Sequence, residues 1–193
     1  MHLQGSRQEL GLQLILKGAS QCAERLTRIC RAAWRVEKVE AGTQAEECFA
    51  ALCAEVSEDH FGSFLSIPGG AFLVIFDRKS GLRVCTRFAG HFSDKLDLVD
   101  RLEPTTLCEV SNILVNALAE SLASAGREEL MVSAPEPLLE DTRGLLQAAL
   151  KRVRNPEKLA LSCHARLACP TLSSQAALVI LLDADLLQRV LGA

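Results

Sequence analysis

Along residues 7–33 the apolar side chains Leu10, Leu14, Ala19, Cys22, Leu26, Ile29 and Ala33 recur at steps of three to five, and the spacing predicts an amphipathic α-helix. Residues 34–40 then alternate apolar and charged types, the pattern of a strand with one wet face. Thr43 is placed to cap a second helix running to about Val56. Two strands over 62–67 and 71–77 follow, joined by the turn Pro68-Gly69-Gly70, and a further extended piece is predicted over 82–88.

The second half replays this order. Glu103-Pro104-Thr105 has the acid, proline and hydroxyl of a helix start, and Leu107, Val110, Leu114, Ala117, Ser121 and Ala125 carry one face on to Gly126, a natural stop. Residues 130–133 read as a strand, 138–153 as a helix, and 159–167 and 176–182 as strands. Helix, strand, helix, strand, strand thus occurs twice, which suggests a duplicated unit with two long helices about a pseudo-twofold axis. The expected class is α+β: a mainly antiparallel central sheet covered by the two long helices and by shorter ones. The chain reads as one domain over 1–193, its first structural half about 7–92 and its second about 103–193.

Composition narrows the function. With 49% apolar and 23% charged residues in 193, the chain can bury a sizeable core, and disorder is excluded. The net charge of -3 and the lack of a Lys/Arg-rich run argue against nucleic acid as a partner. No run approaches about 18 apolar residues, and 1–11 has neither the cationic start nor the apolar run of a signal peptide, so no membrane role and a cytoplasmic location are expected. None of the eight cysteines forms a CxxC pair, and most sit among Leu, Ile and Ala, as buried reduced thiols do. The four histidines share no metal-ligand spacing. No metal or cofactor of the chain's own is expected.

At about 100° per residue, Thr105, Glu109, Asn112, Asn116 and Glu120 fall in one polar stripe of the second long helix, opposite the apolar series. A stripe of this kind is by itself the solvated face of a surface helix. Pro135 adds a further coincidence. Thr105-x3-Glu109-x2-Asn112-x22-Pro135 resembles the signature of the CheC/CheX/FliY phosphatases, in which Asp or Ser, then Glu, Asn and Pro stand at those spacings. At roughly 5% usage each, Glu, Asn and Pro meet three fixed positions by chance in about 2% of chains this long. The segments 109–114, 71–77 and 177–182 also resemble the helix and hydrophobic strands of that family.

The resemblance implies hydrolysis of the aspartyl phosphate of a CheY-like response regulator. Asn112 would orient the attacking water and Glu109 would pair with the regulator's lysine, while Mg²⁺ comes with the regulator. Thr105, in place of Asp or Ser, keeps a hydroxyl for a cap; Pro135 shapes the turn behind the helix, and Asn116 supports the stripe. Residues 18–26 resemble the small-residue stretch that follows the family's first Asn. Counting back places Gln13 and Leu16 where the first Glu and Asn would be, and Val39 at the proline position. That half reads as a degenerate first site.

The phosphorylated regulator is the expected partner, CheD is a further one that the resemblance allows, and the chain itself is expected as a monomer or homodimer. An alternative is a non-catalytic docking module of a chemotaxis or flagellar-switch system, since the same fold serves FliM/FliN-type scaffolds. Another is a sensor or redox switch, for which Cys108 beside Glu109 is the candidate thiol.

Overall fold

Gly70–Asp77 (β3) and Ser174–Asp183 (β6) are almost wholly apolar because they lie at the middle of a sheet covered on both faces. The computed structural model describes residues 2–42, 60–90, 99–138, 142–153 and 156–192. Within these, Arg35–Gly42 (β1), His60–Ile67 (β2), Glu136–Leu138 (β4) and Leu159–Cys169 (β5) complete an antiparallel sheet in the order β1-β5-β6-β3-β2-β4. The helices are His2–Cys30 (α1), Arg78–Ala89 (α2), Val99–Gly126 (α3), Thr142–Arg152 (α4) and Ala184–Leu191 (α5). The fold is α+β.

The strand order encodes the duplication. Exchanging the first three strands with the last three reverses the list and leaves it unchanged, so the axis lies between β3 and β6, where Leu73 faces Val179. Each half lends its first strand to the other: β1 pairs with β5, and β4 with β2. Gly42 stands opposite Ser162, and Leu138, 96 positions after Gly42, stands opposite Gly62. The same step relates the long helices. The Cys22 thiol donates to the Leu114 carbonyl at 3.2 Å, and Gly18 lies against Leu118. Adding 96 to Gly18 and Cys22 gives Leu114 and Leu118. A side chain at Gly18 would begin 3.1 Å from Leu118 Cγ, so its absence lets the two helices approach.

Period-two alternation divides the core. Phe72, Val74, Phe76, Leu178, Ile180 and Leu182 pack beneath α1, α2, α3 and α5. Leu73, Ile75, Val179 and Leu181 face the other way, against Leu145, Leu146 and Ala149 of α4. The two long helices therefore lie together on one face of the sheet, with their outer sides away from it.

Several elements differ from expectation. Residues 82–88 are not extended but belong to α2: Leu82, Val84 and Phe88 alternate, yet Val84 and Cys85 are buried while Leu82 is exposed, and Asp77 caps the helix through Ser80 N–H at 2.8 Å. The counterpart α5 has no sequence expectation at all, although Asp183 caps it in the same way through Leu186 N–H at 2.7 Å. Residues 130–133 form no strand. There Ser133 N–H donates to Ser66 O at 2.8 Å and Ser133 Oγ accepts from Ser66 N–H at 2.9 Å, so a side chain takes the place of ladder pairing, and the strand begins only at Glu136.

Helix boundaries shift as well. α1 ends at Cys30, before Arg31 with φ 48°, and its buried seam is Ile15, Ala19, Cys22, Ala23, Leu26 and Cys30, which leaves Leu10 and Ala33 exposed. α3 starts at Val99, with Pro104 inside it. Pro104, the sixth residue of the helix, has no amide hydrogen for the bond to the carbonyl four residues back, so α3 gives up one main-chain bond near its start. Leu138 ends β4, and the helix expected from it begins at Thr142. The helix expected over 43–56 lies outside the described residues.

Candidate functional site

α3 is held by its inner face. Leu107, Val110, Leu114, Val115, Leu118 and Leu122 are buried against the sheet and α1, which fixes the rotation of the rod and turns Thr105, Glu109, Asn112, Asn116 and Glu120 outward. Glu109 and Thr105 are exposed; Asn112 and Asn116 are half-buried. Among the described residues Glu109 has no hydrogen-bonding or ionic partner. At the far end of the stripe Glu120 meets Arg25 of α1 at 3.3 Å, so that carboxylate serves the helix pair.

The two asparagines are joined. Asn116 Nδ2 donates to the Asn112 backbone carbonyl at 2.8 Å and to Asn112 Oδ1 at 2.9 Å. Asn112 keeps its NH₂ group and a second lone pair on Oδ1 for a ligand. An exposed carboxylate and an outward carboxamide one turn apart offer a cation-pairing group and an amide able to order a water molecule. They do not form an acid–base dyad, since an amide does not titrate.

The other expected residues are placed differently. Thr105 lies in the second turn of α3 instead of at its cap, because the helix starts at Val99; its hydroxyl is left on the outer stripe. Pro135 is half-buried on the approach to β4, where it has no N–H to offer, and it borders the edge pairing of Glu136–Leu138 with β2. On α1, Gln13 is exposed and Leu16 is 46% exposed, so the first-half counterparts also lie on the outer side. Val39 sits within β1 opposite Ala165. The residue whose part the sequence understated is Asn116. Its only signal there is the four-residue step from Asn112.

The thiol reading is corrected. Cys108 is buried, its Sγ lies 3.9 Å from Ser63 Oγ, and loss of hydration pushes its thiol pKa up, with the Glu109 charge adding to the rise. Burial likewise pushes Cys22 up to about 12 and Cys30 up to about 11. These are inert packing thiols, the reverse of the accessible low-pKa sulfur a redox switch needs. All six cysteines among the described residues are buried. Cys48 and Cys53 lie outside them. Among the described residues no cluster of His, Cys, Asp or Glu is placed to hold a metal, and no helix is long and apolar enough to cross a membrane.

No protein-family model matches the chain, and neither does any curated protein sequence. Solved structures do match. The Thermotoga maritima FliY structure superposes with a TM-score of 0.66 at 14% identity, covering 96% of this chain and 93% of that one. FliM of the FliM–SpeE complex from H. pylori gives 0.64 at 12% identity over 95% and 94%. The chemotaxis protein CheX from Vibrio vulnificus gives 0.59 at 10% identity over 89% and 99%. The chain therefore has the fold of these FliY, FliM and CheX structures.

Proposed function

We propose that the chain is a phosphatase acting on the aspartyl phosphate of a CheY-like response regulator. The observation that carries this reading is the pair Glu109 and Asn112, one turn apart on the outer stripe of α3, with the carboxylate unpartnered among the described residues. A rigid helix presenting these two groups can enter a neighbouring protein's pocket. Two anions repel, so Glu109 does not serve as a base for water in line with a phosphoryl group; it pairs with the lysine of the regulator's active site and holds the proteins in register. Asn112 accepts a hydrogen bond from the attacking water and fixes it in line with phosphorus. Charge on the phosphoryl group is met by the regulator's own Mg²⁺ and lysine. Ordering one water, at about 3 kcal/mol, accelerates the reaction roughly a hundredfold.

The test is the decay of a phosphorylated receiver domain from the same cell with and without the protein. Acceleration by the wild type, lost in Asn112→Ala while the fold persists, is the expected result. An Asn112→Ala variant as fast as wild type would overturn the mechanism.

One observation favours a second reading, docking without catalysis: FliM, whose fold this chain has, is found in complexes with FliG and SpeE. In that case the wild type binds a partner and leaves the phosphate lifetime unchanged. CheD binding and self-association belong to the same assay as added components.

A further inference from the structure

We propose that Asn116 is a positioning residue that locks the carboxamide of Asn112 in one orientation; the inference rests on the phosphatase reading and adds a residue to it. The locking follows from hydrogen counting. The Asn112 backbone carbonyl can only accept, so the Asn116 atom 2.8 Å from it is the NH₂ nitrogen. The second hydrogen of that nitrogen points at the Asn112 side chain, 2.9 Å away, and requires an acceptor there. Asn112 must therefore turn Oδ1 toward Asn116 and its own NH₂ to the opposite side. A free surface asparagine samples both amide orientations and several rotamers. Here the main chain orients Asn116, and Asn116 orients Asn112.

The pseudo-twofold supplies the internal control. Ser20 stands 96 positions before Asn116, and its Oγ donates to the Leu16 carbonyl at 2.9 Å, the same bond to the carbonyl four residues back. A hydroxyl has one hydrogen, which this bond uses, and Leu16 has no acceptor in its side chain. Between these two described helices the bond to the main chain is thus common, whereas the amide-to-amide bond stands on α3 beside the candidate catalytic residue. Glu120, the next residue of the stripe, is held by Arg25 at 3.3 Å and does not draw Asn116 away.

For catalysis the lock means that the lone pair meeting the water is already aimed before the regulator arrives, so less conformational freedom is lost in the reacting complex. Asn116 touches neither water nor phosphate. Its effect falls on turnover within the complex and leaves affinity alone.

The experiment uses Asn116→Ser, which reproduces the Ser20 arrangement, and Asn116→Gln, whose longer amide still reaches an Asn four residues back. Two quantities are read: the χ1 distribution of Asn112 in the free protein, from side-chain NMR couplings, and single-turnover dephosphorylation across protein concentrations. Expected are one Asn112 rotamer in wild type and a mixture in Asn116→Ser. The saturating rate of Asn116→Ser should fall about five- to tenfold, with half-saturation and urea midpoint unchanged, and Asn116→Gln should recover part of it. An unchanged Asn112 rotamer in Asn116→Ser overturns the lock whatever the activity. A loosened rotamer with a wild-type saturating rate overturns its catalytic role. A loosened rotamer in a protein whose wild type leaves the phosphate lifetime unchanged rejects the phosphatase reading itself while leaving the lock in place.

Discussion

Asp77 and Asp183 occupy the same place in the two halves: each ends a central strand and caps the helix that follows, Asp77 through Ser80 N–H at 2.8 Å and Asp183 through Leu186 N–H at 2.7 Å. The pair does more than cap. Asp183 N–H donates to Gly69 O at 2.8 Å, which ties the end of β6 to the β2–β3 turn at a glycine of φ 87°. Asp77 also accepts from Ser80 Oγ at 2.6 Å, and that hydroxyl accepts from Gln175 N–H at 2.9 Å at the start of β6.

Asp77→Ala and Asp183→Ala should therefore each lower the unfolding free energy by about 1 kcal/mol through loss of the cap. Asp77→Ala should cost the more of the two, because Ser80 also loses the group that orients it toward Gln175. Urea midpoints at fixed pH check both values, and Asp→Asn at either position should keep most of the cap.

These caps also show what the sequence disclosed and what it hid. β3 and β6 were legible because burial on both faces demands an unbroken apolar run, which little else in the chain imitates. α2 looks extended in the sequence because Leu82, Val84, Thr86 and Phe88 alternate by chance, while the Asp77-x-x-Ser80 cap that decides the matter is a short signal inside a polar stretch. The stripe of Glu109, Asn112 and Asn116 was legible since helix geometry alone puts those positions together. The bond between the two amides was not, because spacing brings them within reach without saying which atom of each faces the other. Thr105 reads as a cap in the sequence because Glu103-Pro104 imitates a helix start, whereas the helix begins a turn earlier.

Glu109 should act on affinity. As an exposed carboxylate without an internal partner among the described residues, it can be changed with little effect on the fold. In titrations of phosphorylated regulator, Glu109→Ala should raise the half-saturation concentration more than it lowers the saturating rate. Glu109→Lys should raise it further by setting two cations against each other, and the wild-type value should rise with salt while that of Glu109→Ala changes less. A uniform fall in saturating rate with unchanged half-saturation would remove the proposed ion pair.

His164 predicts a loss of stability on mild acidification. It is buried on β5, and loss of hydration lowers its pKa below 6.5, against an opposing pull from Glu40, whose Oε2 lies 3.3 Å from Nε2; Lys38 adds to the lowering. The folded state thus holds neutral histidine more firmly than the unfolded chain does. The contribution is fully present above about pH 6.5 and is lost as pH falls through the depressed folded value. Urea midpoints should drop between pH 7.5 and 5.5, and His164→Val, which suits the strand position, should flatten that part of the profile. An unchanged slope in the variant would assign the acid sensitivity to other groups.

The 96-position step offers the severest trial of the functional reading. Gln13, Leu16 and Ser20 on α1 stand where Glu109, Asn112 and Asn116 stand on α3; Gln13 and Ser20 are exposed, and Leu16 is 46% exposed, so all three can be exchanged without disturbing the buried seam. Such exposed changes usually shift stability by no more than about 0.5 kcal/mol. In a chain already inactivated by Asn112→Ala, the triple change Gln13→Glu, Leu16→Asn and Ser20→Asn should restore measurable shortening of the regulator's phosphate lifetime. The same chain with Ser20 retained should restore less, since nothing then fixes the new amide. If the triple variant folds, binds the regulator and still leaves the phosphate untouched, the acid and the amides are insufficient and the surroundings of α3, Pro135 among them, must contribute directly. That separation is available because the two helices are matched in backbone and differ in the three side chains at issue.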